Sequence, residues 1–174
     1  RLLDAGASTG GFTDCLLQRG ASEVVAVDVG HGQLHERLRA DARVVNRERQ
    51  NIRHVTVDSI GGPVDGAVGD LSFISLRLVI APLVAVCHPG AFMILLVKPQ
   101  FEAGRAEVSR GRGVVTDPDV HARVRDEVAA ALRAEGCDVL GWTTSPITGA
   151  DGNVEFLVHA TTPGLADAPD GGGS

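Results

Sequence analysis

Acidic and basic side chains follow several apolar segments of the chain, at positions where they could act on a bound ligand. Asp70 ends the segment 64–70, and Lys98 directly follows the continuous apolar run 91–97. Open α/β sheets bind their ligands at the carboxyl ends of parallel strands, so both side chains are expected at one rim of a sheet. A cation held beside a carboxylate can stabilise charge that develops on a ligand. The pair therefore indicates a functional site.

Each of these residues has a plainer explanation when it is taken alone. An aspartate at a strand end commonly caps a helix, and a lysine there commonly extends into solvent. Lys98 is the only lysine among the 16 Lys and Arg residues, and Pro99 restricts the backbone directly after it. A single lysine among arginines is expected where arginine cannot replace it. A functional role is therefore favoured for Asp70 and Lys98 together.

A glycine-rich turn lies near the start of the chain, between a short apolar segment and a helical one. Gly6, Gly10 and Gly11 allow a sharp backbone turn and a close approach of a ligand to the main chain. Asp28 ends the next apolar segment, where an acidic residue commonly holds a nucleotide ribose. The turn and the acid predict a nucleotide-like ligand. A glycine-rich turn that binds nothing is the alternative.

Ser8 bears on the kind of nucleotide. The spacing Gly6-x-Ser8-x-x-Gly11 resembles the fingerprint of NAD-binding proteins, with serine where that fingerprint has its middle glycine. A pyrophosphate lies closest to the backbone at this position, so serine argues against a dinucleotide and against a Rossmann-type oxidoreductase. S-adenosylmethionine has no phosphate and demands less of the turn.

A third group of polar residues lies near the end of the chain. Residues 145–153 form a connection that contains proline and glycine, and Glu155 follows it between Val154 and Phe156. Glu155 is either part of the site or the outward-facing residue of an edge strand, because alternate residues of a strand face opposite sides. The spacing leaves both readings open.

Alternating strands and helices must position these residues. Helices are predicted at 12–19, 33–40, 75–87 (interrupted by Pro82) and 117–135, with a loop at 99–116. Strands are predicted at 1–5, 24–28, 43–45, 64–70, 91–97, 139–144 and 154–160. Repeated strand–helix units predict an α/β fold with a mostly parallel, doubly wound sheet, and the last two strands should form an antiparallel pair at one edge. One domain is expected over 1–161, followed by a disordered tail over 162–174 that is rich in Pro, Gly, Ala and Asp.

Composition limits the protein classes. The net charge of −6 is unfavourable for binding RNA, so a basic surface must be local or belong to another module. No apolar run approaches the roughly 18–20 residues of a membrane span, and no signal peptide is visible. Three distant cysteines without metal-ligand spacing predict reduced thiols, a cytoplasmic protein and no metal site. Because the chain begins with Arg1, we expect that a segment upstream has been lost.

Six strings, in order, resemble the TlyA or hemolysin-A-like family of ribosomal RNA 2′-O-methyltransferases, which are relatives of the FtsJ-type enzymes. The strings are DAGASTGGFTDC (4–15), AVDVGHGQL (26–34), DLSFISL (70–76), VKPQFEAG (97–104), GVVTDP (113–118) and SPITGADGNVEF (145–156). They cover nearly the whole chain as far as about residue 160. Their number and order make the resemblance highly specific.

The resemblance implies a Rossmann-like class I fold of S-adenosylmethionine-dependent methyltransferases, with seven strands. It implies methyl transfer from S-adenosylmethionine to the ribose 2′-hydroxyl of cytidines in 16S and 23S ribosomal RNA, so ribosomal RNA or ribosomal subunits are the expected partners. FtsJ-like enzymes use a Lys–Asp–Lys–Glu tetrad, and Asp70, Lys98 and Glu155 match its last three members. The first lysine, on a helix before the first strand, and an N-terminal RNA-binding module of the S4 type are both missing from this chain.

The same resemblance assigns the cofactor site, with Asp28 on the ribose hydroxyls and Asn51 beside the adenine. The expected cofactor-binding residues are Asp4, Gly6, Ala7, Ser8, Thr9, Gly10, Gly11, Phe12, Asp28, Val29, Asn51 and Asp70. In the loop after Lys98, Arg105, Arg110 and Arg112 could contact RNA phosphates, although a solvated basic loop is an equal alternative.

Two other classes of function are open to such a chain. A module that binds S-adenosylmethionine but is inactive by itself would bind the cofactor without any dependence on Asp70, Lys98 or Glu155. The name hemolysin, which is attached to the family, would imply a membrane-active protein. Since the sequence has no long amphipathic or membrane-spanning segment, pore formation by this domain is disfavoured.

Overall fold

One sheet of seven strands organises the chain in the computed structural model, which describes residues 1–164 apart from the side chains of residues 105, 106, 110 and 150. The strands are β1 (Leu2–Ala5), β2 (Val24–Val27), β3 (Val44–Arg47), β4 (Val64–Gly69), β5 (Cys87–Val97), β6 (Asp138–Thr144) and β7 (Phe156–Thr161). Their order in the sheet is β3-β2-β1-β4-β5-β7-β6. Strands β1 to β5 pair in parallel, and β7 is antiparallel to both β5 and β6. The predicted fold class is confirmed, including the antiparallel pair at one edge.

The helices cover both faces of the sheet and differ from the prediction in three places. They are α1 (Gly11–Gln18), α2 (Glu36–Arg39), α3 (Val57–Ile60), α4 (Ile80–Val86), α5 (Pro99–Glu102), α6 (Arg105–Arg110) and α7 (Pro118–Ala134). The predicted loop 99–116 contains α5 and α6, and α3 was not predicted. The predicted helix 75–87 is interrupted at Val79 rather than at Pro82, because a proline in the first turn of α4 removes no intrahelical hydrogen bond.

Two apolar cores lie on opposite faces of the sheet, and β2 contributes to both. Val25 and Val27 belong to the larger core, which also contains buried residues of α4 and α7. Val24 and Ala26 belong to the smaller core beside α1 and α2. A strand that is buried on both faces must be apolar throughout, which explains why the VVAV segment shows no alternation of polar and apolar residues.

Thr162 and Pro163, the first two residues of the predicted tail, are bonded to the sheet. Thr162 is buried, and its hydroxyl accepts a hydrogen bond from the amide of Ala91 at 2.9 Å and donates to the carbonyl of His88 at 2.7 Å. The amide of Gly90 donates to the carbonyl of Pro163. These bonds attach the end of β7 to the start of β5. The rest of the predicted tail, residues 165–174, lies outside the described residues.

Candidate active site

Two candidate catalytic residues, Asp70 and Lys98, follow the carboxyl ends of the neighbouring strands β4 and β5. Ala5 pairs with Gly69 across β1 and β4, and Gly69 pairs with Leu95 across β4 and β5. Asp70 and Lys98 therefore emerge side by side, as the sequence predicts.

Within residues 1–164, no helix is long and apolar enough to cross a membrane.

Lys98 and Asp70 form an ion pair at this rim. The Nζ atom of Lys98 lies 2.5 Å from Oδ1 of Asp70 and donates a hydrogen bond to the hydroxyl of Ser72 at 3.0 Å. The lysine side chain is 11% exposed and the aspartate side chain 44% exposed. A lysine that is largely removed from water and paired with a half-exposed carboxylate is held in one place, unlike a solvated lysine at a strand end.

Glu155 is buried, which excludes the outward-facing position on an edge strand. Val97 pairs with Phe156 at the end of the antiparallel ladder. Lys98, directly after Val97, and Glu155, directly before Phe156, therefore lie at the same rim of the sheet. Among the described residues, no ion pair joins these two side chains; Glu155 Oε1 instead accepts a hydrogen bond from Gln100 Nε2 at 2.9 Å. A Cβ atom at Gly149 would lie within 2.1 Å of that oxygen, so the 145–153 connection covers the carboxylate closely.

The glycine-rich turn has the backbone conformation that its composition requires. Gly6 has a φ of +83°, and a Cβ atom there would lie 2.3 Å from the carbonyl oxygen of Asp70. Glycine is thus needed where the ends of β1 and β4 converge. Ser8 also occupies the left-handed region, with a φ of +47°, an uncommon conformation for a residue with a side chain.

Asp28 explains how Ser8 is kept in that conformation. Its Oδ2 atom accepts the amide of Ser8 at 2.8 Å, and its Oδ1 atom accepts the amide of Gly30 at 2.7 Å. Each carboxylate oxygen has a second lone-pair direction, so both can accept one further hydrogen bond from a ligand hydroxyl. Asp28 lines a cleft of about 510 Å³ together with Gly6, Asn51 and Asp70.

Asp4 carries an orphaned acceptor beneath the turn. The side chain is fully buried; Oδ2 accepts a hydrogen bond from the hydroxyl of Thr13 at 2.6 Å, and Oδ1 has no partner among the described residues. Burial raises the pKa of Asp4 to about 6, and the Thr13 hydrogen bond opposes part of this increase. Asp4 and Asp70 both line a second cleft of about 540 Å³ that adjoins the first at Gly6 and Ser8.

These features fit S-adenosylmethionine. Asp28 would hold the ribose hydroxyls, and Asn51 with the apolar side chains of Val29 and Ile52 would surround the adenine. The unpartnered oxygen of Asp4 is an acceptor suited to the ammonium group of the methionine moiety. The described residues that line the two clefts thus offer carboxylate, amide and apolar groups, and no cluster of cations among them would indicate a phosphate.

Most of the predicted cofactor residues line these two clefts, and Gly10 does not. Ala7, Thr9, Gly11 and Phe12 line the second cleft, while Gly10 packs against α2, where a Cβ atom would lie 2.2 Å from the side chain of Leu38. The φ of +101° at Gly10 adds a backbone requirement for glycine. Packing and backbone conformation together account for glycine at this position.

Phe73 is a residue of the cleft that sequence reasoning missed. It is 91% exposed, has a φ of +65° and lies with its ring centroid 5.1 Å from that of Phe101. An exposed aromatic side chain on an unfavourable backbone conformation beside a cleft suits a planar ligand. In the sequence, only its place in a loop between two apolar segments marks it out.

Glu102 is a second residue that sequence reasoning missed. It is buried at the end of α5, where its carboxylate accepts hydrogen bonds from the hydroxyl of Ser75 at 2.5 Å and from the amide of Leu76 at 2.6 Å. Burial raises the pKa of Glu102, while those two bonds and the nearby Arg77 oppose the increase. A charged residue four positions after Lys98 reads in the sequence as an exposed loop residue.

The predicted RNA-binding arginines are described only in part. Arg112 is exposed and has a φ of +50°. The side chains of Arg105 and Arg110, in α6, lie outside the described residues. Contact of this segment with RNA therefore stays a prediction.

Comparison with known proteins shows close relatives. The FtsJ-like methyltransferase family matches residues 1–162. YqxC of Bacillus subtilis is 51% identical over 164 residues, which are 94% of this chain and 58% of that protein. The 16S/23S rRNA (cytidine-2'-O)-methyltransferase TlyA of Mycobacterium tuberculosis is 51% identical over 162 residues, which are 93% of this chain and 60% of that protein. The chain thus spans about three fifths of the length of these two relatives.

Solved structures agree with this relationship. A Streptococcus thermophilus protein that carries the name hemolysin is 44% identical and superposes with a TM-score of 0.89 over 97% of this chain and 62% of that one. An S-adenosylmethionine-dependent methyltransferase from Methanosarcina mazei, 15% identical, superposes with a TM-score of 0.67 over 94% of this chain and 92% of that one, which shows the fold alone. With the family match extending from the first strand to the last, the chain belongs to the FtsJ-like methyltransferase family.

Proposed function

We propose that this chain is the catalytic domain of an S-adenosylmethionine-dependent enzyme that methylates the 2′-hydroxyl of cytidine ribose in ribosomal RNA. The observation that carries the proposal is the ion pair of Lys98 and Asp70 at the junction of two clefts suited to the cofactor. The substrate class comes from the relative TlyA, whose name specifies 16S and 23S rRNA cytidine.

The residues at the rim match the needs of this reaction. S-adenosylmethionine, when bound, supplies a methyl group on a sulfonium centre. A ribose hydroxyl is a weak nucleophile at neutral pH, so negative charge must be stabilised on its oxygen as the O–CH₃ bond forms and the S–CH₃ bond breaks. Lys98 is the cation in place to do so, and Asp70 orients it. Because Asp70 is half exposed, it can pass the hydroxyl proton to water.

Glu155 would act at the same rim by positioning the sugar. Its carboxylate is buried and bonded to Gln100 rather than to Lys98, so a role on the substrate side fits better than a role in holding the lysine. Correct orientation of the two reactants contributes several kcal/mol in well-aligned reactions, on the order of 7–11 kcal/mol at most.

The overall charge of the chain cannot supply affinity for RNA. The chain has a net charge of −6, and phosphate contacts normally require a basic surface. We propose that the segment 105–112 supplies local contacts and that an RNA-binding module of the S4 type, in the longer protein, supplies most of the affinity.

The first experiment is calorimetric titration of this chain with S-adenosylmethionine, with NADH as a parallel control. Saturable binding of S-adenosylmethionine alone is expected. Binding of NADH instead would contradict the cofactor assignment. If neither ligand binds, repeating the titration with the full-length protein separates an incomplete pocket from a wrong assignment.

The second experiment follows radiolabelled methyl transfer from S-adenosylmethionine to ribosomal RNA by the full-length protein. A 2′-O-methyl product resists alkaline cleavage at the modified nucleotide, which distinguishes ribose from base methylation. A labelled base would contradict the proposed reaction. Cofactor binding that is accompanied by transfer independent of Asp70, Lys98 and Glu155 would favour a binding module whose catalytic centre lies elsewhere.

A further inference from the structure

The single-turn helix α5 begins directly after Lys98 and contacts the neighbouring parts of the active site in different directions. Gln100 reaches Glu155 ahead of β7, Phe101 contacts Phe73, and Glu102 reaches the end of the loop that follows β4. These contacts belong to the string KPQFE, of which the proposed reaction uses only the lysine.

Gln100 has an orientation that only its bond to Glu155 explains. The amide nitrogen of Gln100 faces Oε1 of Glu155 and donates a hydrogen bond to it. Its own oxygen, Oε1, is then left buried with no partner in the described part of the chain. A buried acceptor without a partner is unfavourable, so this orientation costs free energy. The hydrogen bond from Gln100 to the Glu155 carboxylate therefore accounts for the orientation of the Gln100 side chain.

Glu102 links α5 to the loop that carries Asp70 and Ser72. Its two carboxylate oxygens accept from the hydroxyl of Ser75 and the amide of Leu76, at the far end of that loop. Arg77 approaches Glu102 from the solvent side and also pairs with Glu127 of α7. The loop is therefore attached to α5 at one end and continues from β4 at the other.

We propose that α5 is the positioning element of the catalytic centre, with Gln100 and Glu102 as its positioning residues. Gln100 sets the place of Glu155, and Glu102 sets the loop that presents Asp70 and Ser72 to Lys98. One short helix thus fixes the mutual positions of groups that come from β4, β5 and β7. This inference rests on the proposed methyl transfer.

The test for Gln100 compares Q100L and Q100E in the full-length protein. Q100L removes the donor at similar volume, and Q100E keeps the shape but places a second carboxylate beside Glu155. At pH 8 we expect kcat for rRNA to fall at least tenfold for Q100L and further for Q100E. The Kd for S-adenosylmethionine should stay within twofold of the wild-type value, because Gln100 lines neither cofactor cleft. A residue that only fills space would give a nearly unchanged kcat for Q100L, which preserves the volume of the side chain.

The matched control for Gln100 is Gln18. Gln18 also donates from Nε2 to a carboxylate, that of Asp14 at 2.7 Å, but on the exposed surface of α1. The Q18L variant should keep wild-type kcat. Thermal unfolding of each variant shows that it is folded. A kcat within twofold of wild type for both Q100L and Q100E would overturn the role of Gln100.

The test for Glu102 compares E102Q with E127Q. Both substitutions remove one carboxylate partner of Arg77, but only Glu102 is bonded to Ser75 and Leu76. E102Q is expected to lower kcat at least fivefold, and E127Q to leave it within twofold. Equal kcat values for the two variants would overturn the role of Glu102.

The outcomes also separate this inference from the proposed function. An active wild-type enzyme, an inactive K98A variant and wild-type kcat in the Gln100 and Glu102 variants would overturn the inference alone. A full-length wild-type protein that binds S-adenosylmethionine but transfers no methyl group to rRNA would overturn both.

Discussion

The carboxylate of Asp28 accepts the amide of Ser8 across a distance of 2.8 Å and thereby links the end of β2 to the glycine-rich turn after β1. Ser8 adopts its left-handed φ of +47° in this arrangement. Since the other oxygen of Asp28 accepts the amide of Gly30, a single side chain organises two backbone segments of the cleft that it lines. Asp28 therefore determines the shape of the cleft and also provides hydrogen-bond acceptors within it.

The first prediction is that Asp28→Ala weakens S-adenosylmethionine binding at least tenfold. Hydrogen bonds to a charged group contribute about 1.5–3 kcal/mol each, and the substitution removes those that shape the turn together with those offered to the ribose. Calorimetry measures the change in Kd. Asp41→Ala is the control, because Asp41 also accepts a backbone amide, that of Arg43, away from the clefts. Equal affinities of the two variants would contradict the assignment.

The second prediction concerns Lys98 and Asp70. Lys98→Ala should lower methyl transfer by roughly 10²–10³-fold, the usual effect of removing one group that stabilises an oxyanion. Lys98→Arg should restore little, because a planar guanidinium cannot occupy the place of an ammonium group that is 11% exposed and 2.5 Å from Asp70. Single-turnover transfer measures the rate and calorimetry the cofactor Kd. Rapid transfer by either variant would remove Lys98 from the mechanism.

The third prediction is a pH dependence of stability due to Asp4. Its pKa of about 6 in the folded protein lies above the ordinary 3.8, so between these values the folded state binds a proton that the unfolded state has lost. The contribution of Asp4 to the free energy of unfolding should therefore decrease as the pH rises from about 4 to about 6 and stay level above it, by roughly 3 kcal/mol in all.

The substitution Asp4→Asn isolates this contribution. The asparagine cannot ionise, so the difference in unfolding free energy between the variant and the wild type should shift in favour of the variant as the pH rises through this range. Urea unfolding at about pH 4.5, 5.5 and 7 measures it. A difference that is independent of pH would show that Asp4 ionises with its ordinary pKa.

The fourth prediction compares two glycines of the same turn. Gly6→Ala places a Cβ atom 2.3 Å from the carbonyl oxygen of Asp70 at a φ of +83°, so it should destabilise the fold by several kcal/mol, on the order of other severe core substitutions. Gly11→Ala meets no atom within 4 Å and lies at the start of α1, where alanine favours the helix. Thermal unfolding of the two variants should differ clearly, and similar Tm values would contradict the close approach of β1 and β4.

The fifth prediction addresses the segment after α6. If Arg112 contacts an RNA phosphate, Arg112→Ala should weaken rRNA binding at all sequences and reduce the slope of log Kd against log salt by about one. Arg19→Ala serves as the control, because Arg19 directly follows α1 and lines neither cleft. An unchanged slope for Arg112→Ala would assign this arginine to a solvated surface.

The sequence by itself determined the order of strands and helices, the antiparallel edge pair and the rim that bears Asp28, Asp70 and Lys98. These follow from local patterns: apolar runs define strands that are buried on both faces, and parallel strands bring their carboxyl ends to one side of the sheet. The six family strings added two predictions, that S-adenosylmethionine is the cofactor and that Glu155 belongs to the catalytic residues. The predicted limits of strands and helices differ from the observed ones by a few residues. The short helices α3 and α5 were not predicted, because a single turn has no periodicity to detect.

Only the tertiary structure decided how the polar side chains are paired. The hydrogen bonds between Gln100 and Glu155 and between Ser75 and Glu102 join residues that are distant in the chain, and no spacing in the sequence predicts these contacts. The burial of Glu155 likewise depends on the tertiary structure. The same is true of Gly10, which the sequence places in the ligand turn and which the structure packs against Leu38. Hydrogen bonds and close contacts depend on side-chain positions in three dimensions, whereas the sequence pattern specifies only which face of an element a residue occupies.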